Sequence, residues 1–168
     1  MHLILDSTTH RLHAQDHAIR CAIGKGGVID AHDKREGDGK TPLGTYPLRA
    51  LYVRRDRIAL LPECGLPVTT LRSDMGWCDD PHHGAYNQLV PLPFDASHEL
   101  LWREDNRYDL IIPLGYNDAP IVPYRGSAIF FHVASETYSP TEGCVAIAVR
   151  DFLSLLPNIS ANSMMTIR

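Results

Sequence analysis

A histidine and a cysteine carry the clearest chemistry in this sequence. His132 lies near the end of the apolar run Ala128–Val133, and Cys144 follows Gly143 at the start of a second apolar segment. A thiol near its reference pKa is only a few per cent thiolate at neutral pH, and a neighbouring imidazole that accepts its proton turns it into a nucleophile. We therefore predict that Cys144 is a nucleophile and that His132 is its general base.

The residues around this pair indicate how a nucleophile would be supported. Gly143 tolerates unusual dihedrals and lets the backbone approach a substrate, so the N–H groups of Gly143 and Cys144 are the expected oxyanion donors. Either Ser135 or a backbone carbonyl is expected to orient His132, as a third group does in catalytic triads. The spacing alone is a weak signal, because a lone cysteine beside valine and alanine is often a small buried hydrophobe.

Short strands separated by turn residues must position these side chains. The predicted strands are Leu3–Asp6, Arg11–Gln15, Ala18–Gly24, Thr45–Val53, Tyr108–Leu114 and Ala128–Val133. A helix is predicted over Ala148–Leu156, where Phe152 and Leu155 share a face and Pro157 ends the pattern. A second short helix is predicted around His98–Arg103. The expected architecture is one mainly-β domain over residues 1–168, with one or two short helices.

Loops are predicted where glycine, proline and charge concentrate. Residues 24–41 are rich in glycine, aspartate and lysine and predict a long loop, in which Lys34-Arg35-Glu36 is mixed in sign and predicts a solvated segment. Residues 61–93 contain many of the 12 prolines, and Trp77–Gly84 is loop-like. The prolines in these segments exclude a long helix there.

Composition excludes several classes of function. The net charge of -4 gives no basic surface for nucleic acid or for an anionic membrane. No apolar run reaches the ~18 residues that a membrane-spanning helix needs, and Met1–Asp6 predicts a strand, not a signal peptide. The sequence therefore predicts a soluble domain with no nucleic-acid partner and no membrane span.

The four cysteines contain no CxxC pair, which excludes the usual zinc-ribbon and dithiol redox motifs. If Cys144 is catalytic, at most one disulfide can form among Cys21, Cys64 and Cys78.

Two cofactor-binding alternatives are weak. The cysteine, aspartates and histidines of Cys78–His83 are zinc-ligand types, but adjacent residues rarely point at one metal. Gly37–Thr41 is similar to the end of a P-loop, but Lys34 occupies the position of the required first glycine and Pro42 blocks the following helical turn. No metal and no other cofactor is predicted.

His132, Thr141, Gly143 and Cys144 together resemble the signature of the L,D-transpeptidase catalytic domain (YkuD-type) family. In that family a histidine on a strand precedes a Ser/Thr-His-Gly-Cys block. Lys34–Tyr46 likewise resembles the family's Thr-Pro-x-Gly-x-aromatic loop and strand. Three further segments look like a bacterial subgroup of the family: Trp77–Pro81, Tyr108–Leu110 and Gly115–Asn117. The resemblance covers most of the chain and implies an L,D-transpeptidase-like β-sandwich.

The resemblance implies that peptidoglycan stem peptides are the substrate. The thiolate of Cys144 would attack the carbonyl of the third residue of a tetrapeptide stem, expel D-Ala and pass the acyl group to an amine of another stem. With water as the acceptor, the same chemistry would make the protein an L,D-carboxypeptidase. A carbapenem is expected to acylate Cys144, and a periplasmic location is expected from the substrate. Neither the acceptor amine nor the oligomeric state is predicted.

The sequence also departs from the family pattern. Glu142 replaces the histidine of the block, Ala146 replaces the arginine that follows the cysteine, and the His–Cys spacing is shorter than usual. These changes indicate altered substrate handling or, alternatively, a non-catalytic cell-wall binding module. Arg125, just before the strand of His132, is predicted to restore a positive charge. Substrate contacts are predicted from Arg125, Ser135, Thr141, Trp77 and Tyr116, with Tyr86, Asn87 and Asn117 as further groove candidates.

Overall fold

Fourteen short strands and one helix make up the regular structure of the chain, which a computed structural model describes over residues 1–168. The strands are His2–Asp6 (β1), Arg11–Ala14 (β2), His17–Ala22 (β3), Val28–Asp30 (β4), Thr41–Pro47 (β5), Leu51–Val53 (β6), Val68–Thr70 (β7), Met75–Cys78 (β8), Leu89–Pro91 (β9), His98–Leu100 (β10), Leu110–Pro113 (β11), Phe130–Val133 (β12), Val145–Ile147 (β13) and Met164–Ile167 (β14). The helix α1 spans Val149–Leu155 and continues into a 3-10 turn at Leu156–Asn158. The prediction of a mainly-β fold with a short helix is confirmed.

Eleven strands form one sheet, in the order β4-β5-β14-β1-β2-β3-β13-β12-β11-β6-β7, and β10-β8-β9 form a second. One apolar cluster joins Leu3 and Leu12 from the first half of the large sheet with Ile112 and Phe131 from the other half. Residues so distant in strand order can share a core only if the sheet folds back on itself. The two halves therefore face each other across the core, as in a sandwich.

The helix closes this core from one side. Phe152 of α1 stacks on Phe131 of β12, with ring centroids 4.5 Å apart and planes 18° apart. Phe152 and Leu155 are buried, as their spacing on one helical face predicts. Pro157 lies in the 3-10 turn, where the α-helical hydrogen-bond pattern has already ended.

Three sequence-based expectations about elements were wrong. The segment around His98–Arg103 contains no helix, because His98–Leu100 pairs as an antiparallel strand with β8. The predicted loop at residues 24–41 contains β4, which pairs in parallel with β5. Trp77 and Cys78 belong to strand β8, so they do not start a loop.

The predicted strand Thr45–Val53 is interrupted because the chain changes partners. The N–H of Leu48 still donates to Ser163 beside β14, whereas the N–H of Arg49 donates to Pro113 of β11. The chain thus leaves one half of the folded sheet and enters the other. β5 and β6 are therefore separate strands.

All four cysteines are free thiols, and no disulfide forms among Cys21, Cys64 and Cys78. No helix combines the length and the apolar character required to cross a membrane.

Candidate active site

The two predicted catalytic side chains lie on the same face of neighbouring strands. β12 and β13 run parallel, with Phe131 opposite Val145 and His132 opposite Ala146. Phe131 and Val145 point into the main core, so the alternation of side chains turns His132 and Ala146 to the other face. Cys144 precedes Val145 and shares that second face. A single residue step along either strand would bury one member of the pair in the core.

Cys144 is held as a buried thiol. Its Sγ accepts a hydrogen bond from the N–H of Phe130 (3.4 Å) and donates one to the carbonyl of Ala128 (3.2 Å). Burial raises the pKa of Cys144 to about 12, and the nearby carboxylate of Glu99 acts in the same direction. The thiol of Cys144 is therefore protonated at neutral pH.

His132 is a neutral imidazole with a defined tautomer. Its Nδ1 lies 2.8 Å from the carbonyl of Val133. A carbonyl can only accept, so we assign the hydrogen of the neutral ring to Nδ1, which leaves the lone pair on Nε2. Burial lowers the pKa of His132 to about 4. The ring also packs against Tyr108, with centroids 5.2 Å apart and planes 80° apart.

The turn before the cysteine is fixed by Thr141 and Gly143. The hydroxyl of Thr141 donates to the carbonyl of Cys144 (2.7 Å) and accepts from the N–H of Gly143 (3.2 Å). Gly143 has φ 131°, and a Cβ there would lie 2.8 Å from the carbonyl oxygen of Lys40. The position therefore requires glycine.

Cys144 and His132 line one cavity of about 490 Å³, and Thr141 lines it too. Most of the other side chains around it are charged. Basic residues are Lys34, Arg103 and Arg107, and acidic residues are Glu36, Asp79, Glu99 and Glu142. The arrangement can hold a polar, charged ligand beside the thiol.

Sequence reasoning missed most of these charged residues. Lys34 was expected in a solvated loop, but it is 2% exposed and its ammonium lies 2.5 Å from Asp38. Arg103 packs over the ring of Tyr108, which in turn packs on His132. No local pattern marks these residues, because they come from segments that meet only after the sheets form. The one usable signal was the Asp79-Asp80 pair, which directly follows the mostly buried strand β8.

The structure places four predicted substrate residues outside the lining of this cavity. The hydroxyl of Ser135 accepts a hydrogen bond from the N–H of Ser139 (2.9 Å) and lies 3.4 Å from the hydroxyl of Thr137. The group that contacts the ring of His132 is therefore not Ser135 but the backbone carbonyl of Val133. The carbonyl of Arg125 accepts a hydrogen bond from Tyr116 (2.5 Å). The positive charge assigned to Arg125 stays a prediction.

The aromatic groove candidates act mainly in packing. Tyr116 is buried edge-on against Tyr46, with centroids 5.5 Å apart. Trp77 packs edge-on against Phe130 at 5.1 Å, and its indole N–H donates to Asn87 (3.0 Å). Trp77 and Phe130 line a separate cavity of about 350 Å³.

The remaining groove candidates hold loops together. The amide of Asn87 donates to the carbonyls of Tyr116 (3.2 Å) and Asn117 (2.8 Å). The side chain of Asn117 bonds Val122 and Gly126 across its own turn. The hydroxyl of Tyr86 donates to Glu36, so it is the only one of these candidates that touches a charged group of the cavity wall.

The two positions that depart from the family motif have their own contacts. Glu142 is exposed and forms an ion pair with Lys25 at 2.8 Å. Ala146 is buried in a small cluster with Ala22 and Ala134. The space that a motif arginine would need is thus filled by small apolar side chains.

The side chains of Cys78–His83 form contacts among themselves. The thiol of Cys78 is buried and lies 4.0 Å from the carbonyl of Asp80. The carboxylate of Asp80 accepts from the N–H of His82 (2.9 Å) and lies 3.2 Å from its ring nitrogen.

Comparison with known proteins identifies the same family as the sequence motif around His132 and Cys144. The family model described as the L,D-transpeptidase catalytic domain, YkuD, matches residues 2–167. The chain belongs to this family. No curated protein matches the sequence significantly.

Among solved structures, the chain is similar to L,D-transpeptidase 1 of Mycobacterium tuberculosis, with 8% identity and a TM-score of 0.46 over 99% of this chain and 57% of that one. It is also similar to an L,D-transpeptidase from Mycobacterium smegmatis, with 11% identity and a TM-score of 0.46 over 99% of this chain and 58% of that one. The chain thus spans less than two thirds of the length of these two proteins.

Proposed function

We propose that this protein is a peptidoglycan L,D-transpeptidase in which Cys144 is the acylated nucleophile. The observation that carries the proposal is the placement of Cys144 and His132 on one sheet face and in one cavity. It is supported by membership of a family named for this activity. The substrate would be a tetrapeptide stem of the cell wall, which puts the enzyme in the periplasm.

Acylation begins with proton transfer from Cys144 to Nε2 of His132. The resting thiol and imidazole are both neutral, so this transfer occurs together with attack of sulfur on the carbonyl of the third stem residue. The N–H of Gly143 is held by Thr141, which leaves the N–H of Cys144 as the donor proposed for the oxyanion. The protonated His132 then gives its proton to the leaving amine of D-Ala, and a thioester remains.

Deacylation uses the same groups in reverse. An amine of a second stem attacks the thioester while Nε2 of His132 accepts its proton. The C–S bond breaks, the new amide forms, and the proton returns to the sulfur of Cys144. If water attacks instead, the product is a tripeptide stem and the protein is an L,D-carboxypeptidase.

A second candidate function is a cell-wall binding module without catalysis. A thiol whose pKa is raised to about 12 by burial is what such a module would hold. The exposed Glu142 and the buried Ala146, which replace two polar residues of the family motif, also favour it.

Products from a purified disaccharide-tetrapeptide separate these functions. Transpeptidation gives free D-Ala and a crosslinked dimer, whereas hydrolysis gives D-Ala and a tripeptide. Both products should be absent with Cys144→Ala. A folded wild-type protein that releases no D-Ala would contradict the proposed enzyme and favour the binding module.

A further inference from the structure

Arg107 carries a guanidinium that lines the cavity of Cys144 and that no side chain binds closely. Its Nε lies 3.7 Å from Asp105, beyond hydrogen-bond distance, and its side chain is 38% exposed. Asp105 is already held by Arg103, which donates to both carboxylate oxygens at 2.8 and 2.7 Å. The donors of Arg107 are therefore free to bind a ligand in the cavity.

The backbone of Arg107 places this charge next to the proposed base. Its carbonyl accepts a hydrogen bond from the N–H of Val133 (3.0 Å), the residue that follows His132. Burial is the main cause of the lowered pKa of His132, and the positive charge of Arg107 acts in the same direction. Guanidinium and imidazole therefore lie in the same part of the cavity.

The other charged groups of the cavity do not offer a site for an anion. Lys34 is 2% exposed, and its ammonium lies 2.5 Å from Asp38. Arg103 is bound to Asp105 through both donors of its fork. The remaining charged residues of the lining are acidic: Glu36, Asp79, Glu99 and Glu142. Because acidic side chains repel an anion, a carboxylate that enters this cavity finds its favourable contact at Arg107.

We propose that Arg107 binds the terminal carboxylate of the donor stem peptide, which belongs to the D-Ala that leaves when Cys144 is acylated. The inference rests on the proposed function, in which His132 gives a proton to the nitrogen of that D-Ala. Only the α-carbon separates this nitrogen from the carboxylate, so a leaving group placed against His132 brings its carboxylate towards Arg107. A guanidinium binds a carboxylate through two parallel hydrogen bonds. Arg107 thus selects stems that end at the fourth residue.

Arg107→Gln and Arg107→Lys test this contact. Glutamine removes the charge, whereas lysine keeps the charge but cannot form the two parallel hydrogen bonds. Arg55→Gln is the matched control, since Arg55 is exposed and lies outside the cavity. Thermal melting checks that all the variants are folded.

The first comparison uses a tetrapeptide with a free terminal carboxylate and the same peptide with a terminal carboxamide. The ratio of their kcat/KM values for acylation is measured for each protein, so that the different reactivity of the two leaving groups cancels between proteins. We expect this ratio to be about tenfold or more lower in Arg107→Gln than in wild type, because a charge-assisted hydrogen bond to the carboxylate is lost. Arg107→Lys should fall between them, and Arg55→Gln should match wild type.

A third peptide shows which carboxylate of the substrate is bound. It contains diaminopimelate as the third residue, with the side-chain carboxylate amidated and the terminal carboxylate free. We expect Arg107→Gln to slow acylation by this peptide as much as acylation by the unmodified one. The proposal is overturned if the effect of Arg107→Gln disappears with this peptide, or if the ratio of the first comparison is the same in Arg107→Gln, Arg55→Gln and wild type.

Failure of the proposed function looks different, because wild type itself would then form no acyl-enzyme. In that case calorimetry with Cys144→Ala, the free tetrapeptide and its terminal carboxamide still decides the inference. Tighter binding of the free carboxylate that the added Arg107→Gln substitution removes would support it. Equal binding of the two peptides would overturn it.

Discussion

The thiol of Cys144 donates its hydrogen to the carbonyl of Ala128, 3.2 Å away, and not to an imidazole. The N–H of Phe130, on the neighbouring strand β12, donates a hydrogen bond to the same sulfur. His132, for its part, is neutral and keeps Nε2 as an acceptor. The resting site is therefore a neutral thiol–imidazole pair, in contrast to the thiolate–imidazolium pair of many cysteine enzymes.

This protonation state predicts an unusual pH profile for acylation. The pKa of His132 is lowered to about 4 and that of Cys144 is raised to about 12, so both groups keep their reactive forms between about pH 5 and pH 8. We expect kcat/KM for acylation to be flat across this range. A stopped-flow or quenched mass measurement of acylation provides the test. An ionisation near pH 6.5 in the wild-type profile of kcat/KM would contradict the neutral pair.

The same histidine predicts how stability depends on pH. Its pKa is 6.5 in the unfolded reference and about 4 in the fold, so the unfolded chain binds more protons between these values. The free energy of unfolding should therefore fall as the pH drops from 6.5 to 4, and this one group should account for about 3 kcal/mol of that loss. Urea unfolding at several pH values measures it.

His132→Gln serves as the reference for that measurement. The variant has no titrating group at this position, so the difference in slope between it and wild type isolates the contribution of His132. Equal slopes would mean that the histidine is solvated in the folded protein.

Thr141 is expected to act through its hydroxyl. Thr141→Val keeps the branched shape but removes the bonds to the Cys144 carbonyl and the Gly143 N–H, whereas Thr141→Ser keeps them. We expect the valine variant to lose about 1–2 kcal/mol of stability and to acylate about tenfold more slowly. The serine variant should stay within about 0.5–1.5 kcal/mol of wild type in stability. Equal behaviour of both variants would refute the role of the hydroxyl.

Gly143 should not tolerate a side chain. Gly143→Ala combines a strained φ of 131° with a Cβ that would lie 2.8 Å from Lys40. A cost of about 1–3 kcal/mol is expected, together with slower acylation, because the backbone at the nucleophile must move. Thermal unfolding and acylation rates check both effects.

Gly84→Ala is the matched control for this substitution. A Cβ at Gly84 meets nothing within 4 Å, so its melting temperature should stay close to that of wild type. If Gly143→Ala and Gly84→Ala have the same melting temperature, the turn at Gly143 is more adaptable than the structure indicates.

The placement of Cys144 and His132 on neighbouring strands could be predicted from sequence because its signals are local. The apolar strand that carries His132 and the Gly143-Cys144 step before the second apolar strand are both present in the structure as the sequence predicts. The helix Ala148–Leu156 was likewise predictable, since its apolar spacing and Pro157 are local features.

The rest of the site depends on long-range pairing. His98–Leu100 became a strand because β8 supplied its hydrogen-bond partners, and that pairing brings Glu99 towards Tyr108. Lys34 is buried because Asp38 neutralises it inside the loop that packs on Gly143. Neither the strand nor the buried lysine follows from the composition of its own segment.

The central claim, that Cys144 is an acyl-accepting nucleophile, is tested most directly by intact-mass spectrometry. Folded wild type and Cys144→Ala are each incubated with a carbapenem and, separately, with a disaccharide-tetrapeptide. The account predicts that wild type gains the full mass of one carbapenem, that peptide mapping places it on Cys144, and that the alanine variant gains nothing. An unmodified wild-type mass with both reagents, or an adduct that persists in Cys144→Ala, would contradict it.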